Sequence, residues 1–242
     1  MLTILNTILL NRLGLILTRT RNVSPEKRMN VVIARQLSST DLFVDIGANV
    51  GQTYQRIRGL NYAGRYLAIE PESACFNVLS KIELSDGSFR ALQCAVGSSA
   101  SKVYLNVASN AASSSSILEL GNAHIQAAPG IEMIETQGVN QLPLSHILKD
   151  YTTTNSFIKI DVQGYELEVL RGMDEEAWSR VHALLIECNL VETYNNCSLI
   201  EEVFLFLRTR GFQPLRIENG FGAPDFGQQL QVDVLFTRVS IS

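Results

Sequence analysis

The chain is poor in cysteine: Cys75, Cys94, Cys188 and Cys197 are widely spaced, with no C-x-x-C pair among them. So few thiols in 242 residues exclude a disulfide framework and a cysteine-built metal site. They read as reduced thiols of a cytoplasmic protein, with Cys94 and Cys188 acting as small hydrophobes inside apolar runs. Basic clusters are missing too. No run of Lys or Arg occurs and the formal charge is −4, which argues against nucleic acid as a partner, since phosphate binding needs a basic surface. The three histidines stand at no metal-ligand spacing. No low-complexity linker and no internal repeat divides the chain.

What remains is a globular composition, 46% hydrophobic and 18% charged, long enough for one sizeable core. Residues 1–17 are strongly apolar, with Arg12 the only charge. Leu2, Leu5, Leu9, Leu13 and Ile16 recur at helical spacing, but the run is short for a bilayer span and lacks the basic start of a secretory signal. It reads as a helix packed on the domain or on a second subunit in a homodimer. Alternatively, helped by Arg19 and Arg21, it rests peripherally on a membrane surface. Ser24-Pro25-Glu26 is a helix start. The chain thus divides into an N-terminal helical segment, residues 1–38, and an α/β domain, residues 39–242.

Within that domain strand-like and helix-like runs alternate. Residues 42–46, 65–69, 89–95, 157–162 and 183–188 read as strands, with helices over 53–58, 72–84, 165–172 and 198–210. Further strands are expected over 102–107 and 132–137, and a short helix over 144–149. The last two strands, 212–217 and 231–238, have no helix between them and should pair antiparallel. The sum is a mostly parallel sheet covered on both faces.

The most informative stretch is Asp41-Leu-Phe-Val-Asp-Ile-Gly-Ala-Asn-Val-Gly51, followed about twenty residues on by Leu67-Ala-Ile-Glu70. An apolar run ends in a carboxylate, a glycine-bearing turn opens a helix, and a second run ends in an acid. Glycines let the backbone turn tightly and approach a ligand, and a strand-end acid accepts hydrogen bonds from ribose hydroxyls. The turn lacks G-x-G-x-x-G, and a carboxylate just before it would repel a pyrophosphate. It suits a ligand with a cationic amino group, such as the amino-acid end of S-adenosylmethionine (SAM).

Val44-Asp-Ile-Gly-Ala-Asn-Val-Gly51, Ile69-Glu-Pro71 and above all Phe157-Ile-Lys-Ile-Asp-Val-Gln-Gly-Tyr-Glu-Leu-Glu-Val-Leu-Arg-Gly172 resemble the FkbM-type methyltransferases, from about residue 40 to residue 238. The resemblance implies the class I SAM-dependent fold, a single Rossmann-like domain with a seven-stranded sheet and an antiparallel C-terminal strand. It also implies methyl transfer to a hydroxyl of a sugar, glycan or polyketide-type metabolite. Two departures stand out. Gln163 occupies a position where many members carry Glu, and residues 108–138 align poorly apart from a serine-rich stretch.

Asp45 and Gly47 are expected at the amino-acid end of SAM, with Asn49 and Gly51 shaping the turn, Glu70 on the ribose, and Ala95 and Val96 beside the adenine. Asp161, at the C-terminal end of a buried strand, is the candidate base for the acceptor hydroxyl, with Glu187 facing the same pocket from the next strand. Two converging carboxylates also admit a divalent cation, the less favoured reading. His124, in the divergent segment, is a second candidate base, whereas His146 and His182 read as structural. Lys159 shares a strand face with Asp161 and reads as a stem whose ammonium reaches solvent. Glu166 and Glu168 read as complements to a helix dipole. Two rivals use the same sheet: an NAD-linked oxidoreductase, which should show Tyr-x-x-x-Lys, and a non-catalytic SAM-fold module.

Overall fold

Two five-residue runs, Leu42–Ile46 (β1) and Ser156–Ile160 (β7), are buried at every position, and the fold is built outward from that pair. The computed structural model describes residues 25–223 and 227–238. The other strands, in chain order, are Arg65–Ile69 (β2), Phe89–Leu92 (β3), Ala95–Val96 (β4), Ser101–Ala108 (β5) and Met133–Leu142 (β6). After β7 come Val181–Asn189 (β8), Phe212–Asn219 (β9), Gly222–Ala223 (β10), Gln228–Gln229 (β11) and Gln231–Arg238 (β12). Seven of them form one sheet in the order β3-β2-β1-β7-β8-β12-β9. β1 pairs parallel with both β2 and β7, while β12 runs antiparallel to β8 and β9. This is the class I SAM-dependent methyltransferase architecture, and the antiparallel ending expected from the missing helix is present. The order reverses at β1 and β7, so the crevice beyond their C-terminal ends is where such sheets hold ligands.

Side-chain alternation assigns the two faces. Phe43 of β1 joins one core with Met29, Ile33 and Leu37 of helix α1 (Pro25–Leu37), Ile57 of α2 (Gln52–Gly59) and Leu79 of α3 (Ser73–Ser85). Leu42, Val44 and Ile46 join the other core, beneath the later helices. These are α5 (Leu144–Leu148), α6 (Glu166–Arg171), α7 (Glu175–Ser179) and α8 (Ile200–Thr209); the remaining helix, α4 (Asn122–Ala127), lies in the divergent segment. α1 therefore packs into the same core as the sheet it precedes. Residues 1–17, expected to pack on the domain or a second subunit or to rest on a membrane surface, lie outside the described residues, as does Ser24. Among the described residues no helix is long and apolar enough to cross a membrane.

Two sequence expectations change. The strand expected over 89–95 breaks after Leu92, because Ala95 and Val96 leave the main sheet to pair with Gln141 and Leu142 of β6. The strand expected over 132–137 instead extends to Leu142, since β5 pairs with it antiparallel from Ser101↔Gln141 to Ala108↔Met133. The end of the divergent segment, residues 133–138, is thus part of one arm of a long ribbon beside the sheet.

Candidate active site

The turn after β1 is built from left-handed residues: Gly47 at φ 75, Asn49 at φ 46 and Gly51 at φ 90. Asparagine tolerates that region better than most residues, and glycine adopts it freely. Gly47 has a second reason: a Cβ there would lie 1.9 Å from the carbonyl oxygen of Asp161. The turn is pinned by Glu70, whose Oε2 accepts from the Asn49 N–H at 2.8 Å while Oε1 accepts from the Glu72 N–H at 2.9 Å. Burial pushes the Glu70 carboxyl up to about 7, against the pull of those amides and of Lys159.

A cavity of about 270 Å³ opens above this turn. Gly47, Asn49 and Glu70 form one end, with Ala95 and Val96 supplying an apolar wall. Ser113, Ser115 and Ser116 line another side, on a strap whose Ala111 and Ala112 sit at φ 54 and 61. Asn49 Nδ2 donates to the Ala111 carbonyl at 3.2 Å, tying the strap to the turn. Asp161 lines the cavity with its side chain 34% exposed, enough for an incoming group to reach it. Gly51 shapes the turn from behind, against Leu79 and Ile82.

Asp45 is not on this wall, contrary to the expectation that it meets the amino-acid end of SAM. Alternation turns it with Phe43 toward the α1–α2 core, where it is fully buried and accepts from the Tyr66 hydroxyl at 2.7 Å. Lys159 also departs from its reading. Its ammonium does not reach solvent but lies 3.3 Å from Asp45 Oδ1 and 3.3 Å from Asp161 Oδ2, and it donates to the Gly47 carbonyl at 2.8 Å. Burial pulls the lysine pKa down, but Asp161 and Asp45 outweigh it and the net shift is upward. Burial raises the Asp45 carboxyl, and Lys159 and Tyr66 oppose that. The triad binds the β1 turn to the β7 end. A lysine inside a run as apolar as Phe157-Ile-Lys-Ile160 was itself a signal, because a charge buried there requires partners.

Glu187 does not line the cavity either. It stands behind Gln163, which donates to it from Nε2 at 2.7 Å, and Gln231 Nε2 donates to the same oxygen at 2.9 Å. Burial, then Asp161 and Glu166, push its carboxyl well above the usual range. His124 is buried rather than poised over the pocket: its ring packs 5.3 Å from Tyr194 and 4.9 Å from Phe221, and its Nε2 lies 3.3 Å from Ser114 Oγ. Burial lowers its pKa, which favours the neutral ring. Glu166 is no surface dipole partner: 1% exposed, it accepts from the Val162 and Gly164 N–H groups and staples the turn after β7. Of the other histidines, His182 Nε2 lies 3.3 Å from Thr40 Oγ1 and His146 sits in α5; neither lines the cavity. Among the described residues no group of three or more His, Cys, Asp or Glu side chains has the arrangement to hold a metal ion.

The model of the methyltransferase FkbM domain matches residues 45–214. Methyltransferase sdnD of Sordaria araneosa is 30% identical over 212 residues, covering 78% of this chain and 80% of that protein. Among solved structures, an rRNA methylase from Streptococcus thermophilus is 10% identical with a TM-score of 0.47, over 90% of this chain and 98% of that one. Precorrin-6y C5,15-methyltransferase from Geobacter metallireducens GS-15 is 12% identical with a TM-score of 0.45, over 93% and 94%.

Proposed function

The chain belongs to the FkbM methyltransferase family, and from that premise we propose that it moves a methyl group from SAM to a hydroxyl oxygen of a sugar, glycan or polyketide-type metabolite. The observation carrying this reading is Asp161, a carboxylate at a strand's C-terminal end that shares one cavity with Glu70 and with three serine hydroxyls. The residues suit the cofactor. Glu70 is a buried acceptor at the end of β2 with lone pairs beyond those its two amides use, and Ala95 and Val96 offer a flat apolar surface to a purine. When bound, SAM supplies an electrophilic methyl group: the acceptor oxygen forms the C–O bond as the C–S bond breaks, and that electron pair stays on sulfur.

Asp161 takes the hydroxyl proton, which makes the oxygen a better nucleophile as it attacks. Lys159 and Gln163 each hold one Asp161 oxygen, so the carboxylate meets its acceptor already oriented. Ser113 and Ser115 offer hydroxyls to a polyol, and Lys159, already held by two carboxylates, leaves no free cation among the described residues of that wall for an acidic acceptor. The NAD alternative has neither a pyrophosphate turn nor a Tyr-x-x-x-Lys pair to support it.

Calorimetric titration with SAM across pH tests the cofactor half. Ribose hydroxyls donate to ionised Glu70, whose pKa is raised to about 7. SAM affinity should therefore weaken toward roughly tenfold per pH unit below about 7, and Glu70→Gln should bind weakly without that dependence. The empty fold responds with the opposite sign. A carboxyl raised above its ordinary value of 4.5 takes up a proton on folding, so its contribution to stability is present below 4.5 and lost as pH rises through about 7. A SAM affinity that is flat from pH 5.5 to 7 would remove Glu70 from the site.

A further inference from the structure

Gln163 has every polar group of its side chain engaged. Its Nε2 donates to Asp161 Oδ1 and to Glu187 Oε2, each at 2.7 Å, and its Oε1 accepts from the Tyr194 hydroxyl at 2.6 Å. Its backbone, at φ 56, is held as well, because Ser116 Oγ donates to its carbonyl at 2.7 Å. The NH₂ end lies between the two carboxyl groups, each of which keeps an oxygen that accepts from it, and the amide oxygen takes the tyrosine proton.

Two carboxylates that converge on one point need something between them, ordinarily a shared proton or a cation. An amide nitrogen offers two N–H donors in a fixed plane and meets both acceptors without adding charge. We propose that Gln163 is the positioning residue of this site: its amide stands where a divalent cation would bridge Asp161 and Glu187, and holds the acceptor-facing carboxylate without metal. The inference rests on Asp161 as the base and extends that reading to what aims it. Lys159 fixes the other Asp161 oxygen from the turn side, and Gln231 supports Glu187 from β12. Tyr194 carries the chain of bonds on to the strap, since its hydroxyl also lies 3.2 Å from the Ser114 carbonyl.

Gln163→Glu reverses the bridge. It puts a third acceptor where two donors stood, so three carboxylates converge and the cheapest relief is a bound cation. Mn²⁺ titration by calorimetry, with SAM affinity measured on the same samples, tests this without knowledge of the methyl acceptor. Wild type should take up no Mn²⁺ saturably, Gln163→Glu should bind one equivalent at least tenfold more tightly, and adding Glu187→Gln should abolish that uptake. SAM affinity should stay within a few-fold throughout, because Gln163 makes no bond to Glu70 or the β1 turn.

Stoichiometric Mn²⁺ binding by wild type that Asp161→Asn removes would overturn the proposal, as would a Gln163→Glu protein that binds SAM normally and takes up no metal. Should that variant not fold, the side-chain amide resonances of wild-type Gln163 decide. Slow solvent exchange and insensitivity to Mn²⁺ are expected, and fast exchange or paramagnetic broadening overturns it. A wild type that fails to bind SAM at all would sink the methyltransferase reading of the cavity, while the metal titration would still judge the bridge.

Discussion

Gly47→Ala is expected to abolish SAM binding and to cost about 3 kcal/mol or more of stability, by two separate mechanisms. The new Cβ would sit 1.9 Å from the Asp161 carbonyl oxygen and 2.9 Å from the carbonyl carbon, both backbone atoms. Neither neighbour can yield. The Asp161 N–H donates to the Ile46 carbonyl at 3.1 Å, and β1 and β7 are in register up to Ile46↔Ile160, so the clash must be relieved by moving the turn itself. The turn also loses its conformation, since φ 75 is a region L-residues rarely adopt. Moving it breaks the Lys159 bond to the Gly47 carbonyl and displaces the Asn49 amide from Glu70. Gly51→Ala is the contrast: its Cβ meets the tip of Ile82 at 3.0 Å, a flexible side chain, so only the backbone strain at φ 90 remains. Denaturant midpoints and SAM calorimetry on the two variants check the ordering. A Gly47→Ala protein as stable as wild type, or binding SAM equally well, would show that the turn is not held against β7.

The parts legible in the sequence are those whose physics is local. β1 and β7 sit between two layers of helices, so they read as short apolar runs, each broken by a single charge (Asp45, Lys159), and a strand-end acid such as Glu70 is visible as the point where such a run stops. The antiparallel ending was legible because no helix lies between β9 and β12. Asp45 was misplaced although the signal was present: it is two residues from Phe43 and one from Ile46, so the two-residue period already put it on the aromatic face, away from the turn it precedes. Lys159 follows the same rule, and its burial between Asp45 and Asp161 could have been read from their shared register, Asp45↔Lys159. What no local rule announces is the strap. Its position depends on two alanines in left-handed conformations, and only the folded strap brings Ser114 to His124 and Tyr194 to Gln163 across gaps of 10 and 31 residues. His124 reads as a candidate base because its segment has no pattern; the aromatic rings that bury it come from distant Tyr194 and Phe221.

Asp161→Asn should separate binding from chemistry. The side chain makes no bond to Glu70 or the β1 turn, so SAM affinity should stay within about threefold, while turnover on any acceptor that wild type methylates should fall by about 10²–10⁴, the usual loss when a positioned base is removed. The asparagine is nearly isosteric but cannot satisfy both of its neighbours. Gln163 Nε2 requires an acceptor at Oδ1, which leaves the new NH₂ group facing the Lys159 ammonium. Lys159 keeps Asp45 and the Gly47 carbonyl, so the turn should survive and the loss should fall on kcat more than on KM. S-adenosylhomocysteine release, measured beside SAM calorimetry, reads both quantities on one sample. Near-wild-type turnover by Asp161→Asn would mean that positioning alone drives the transfer. The acceptor proton would then leave through water, and the carboxylate's part would be to hold Lys159 and Gln163 in place.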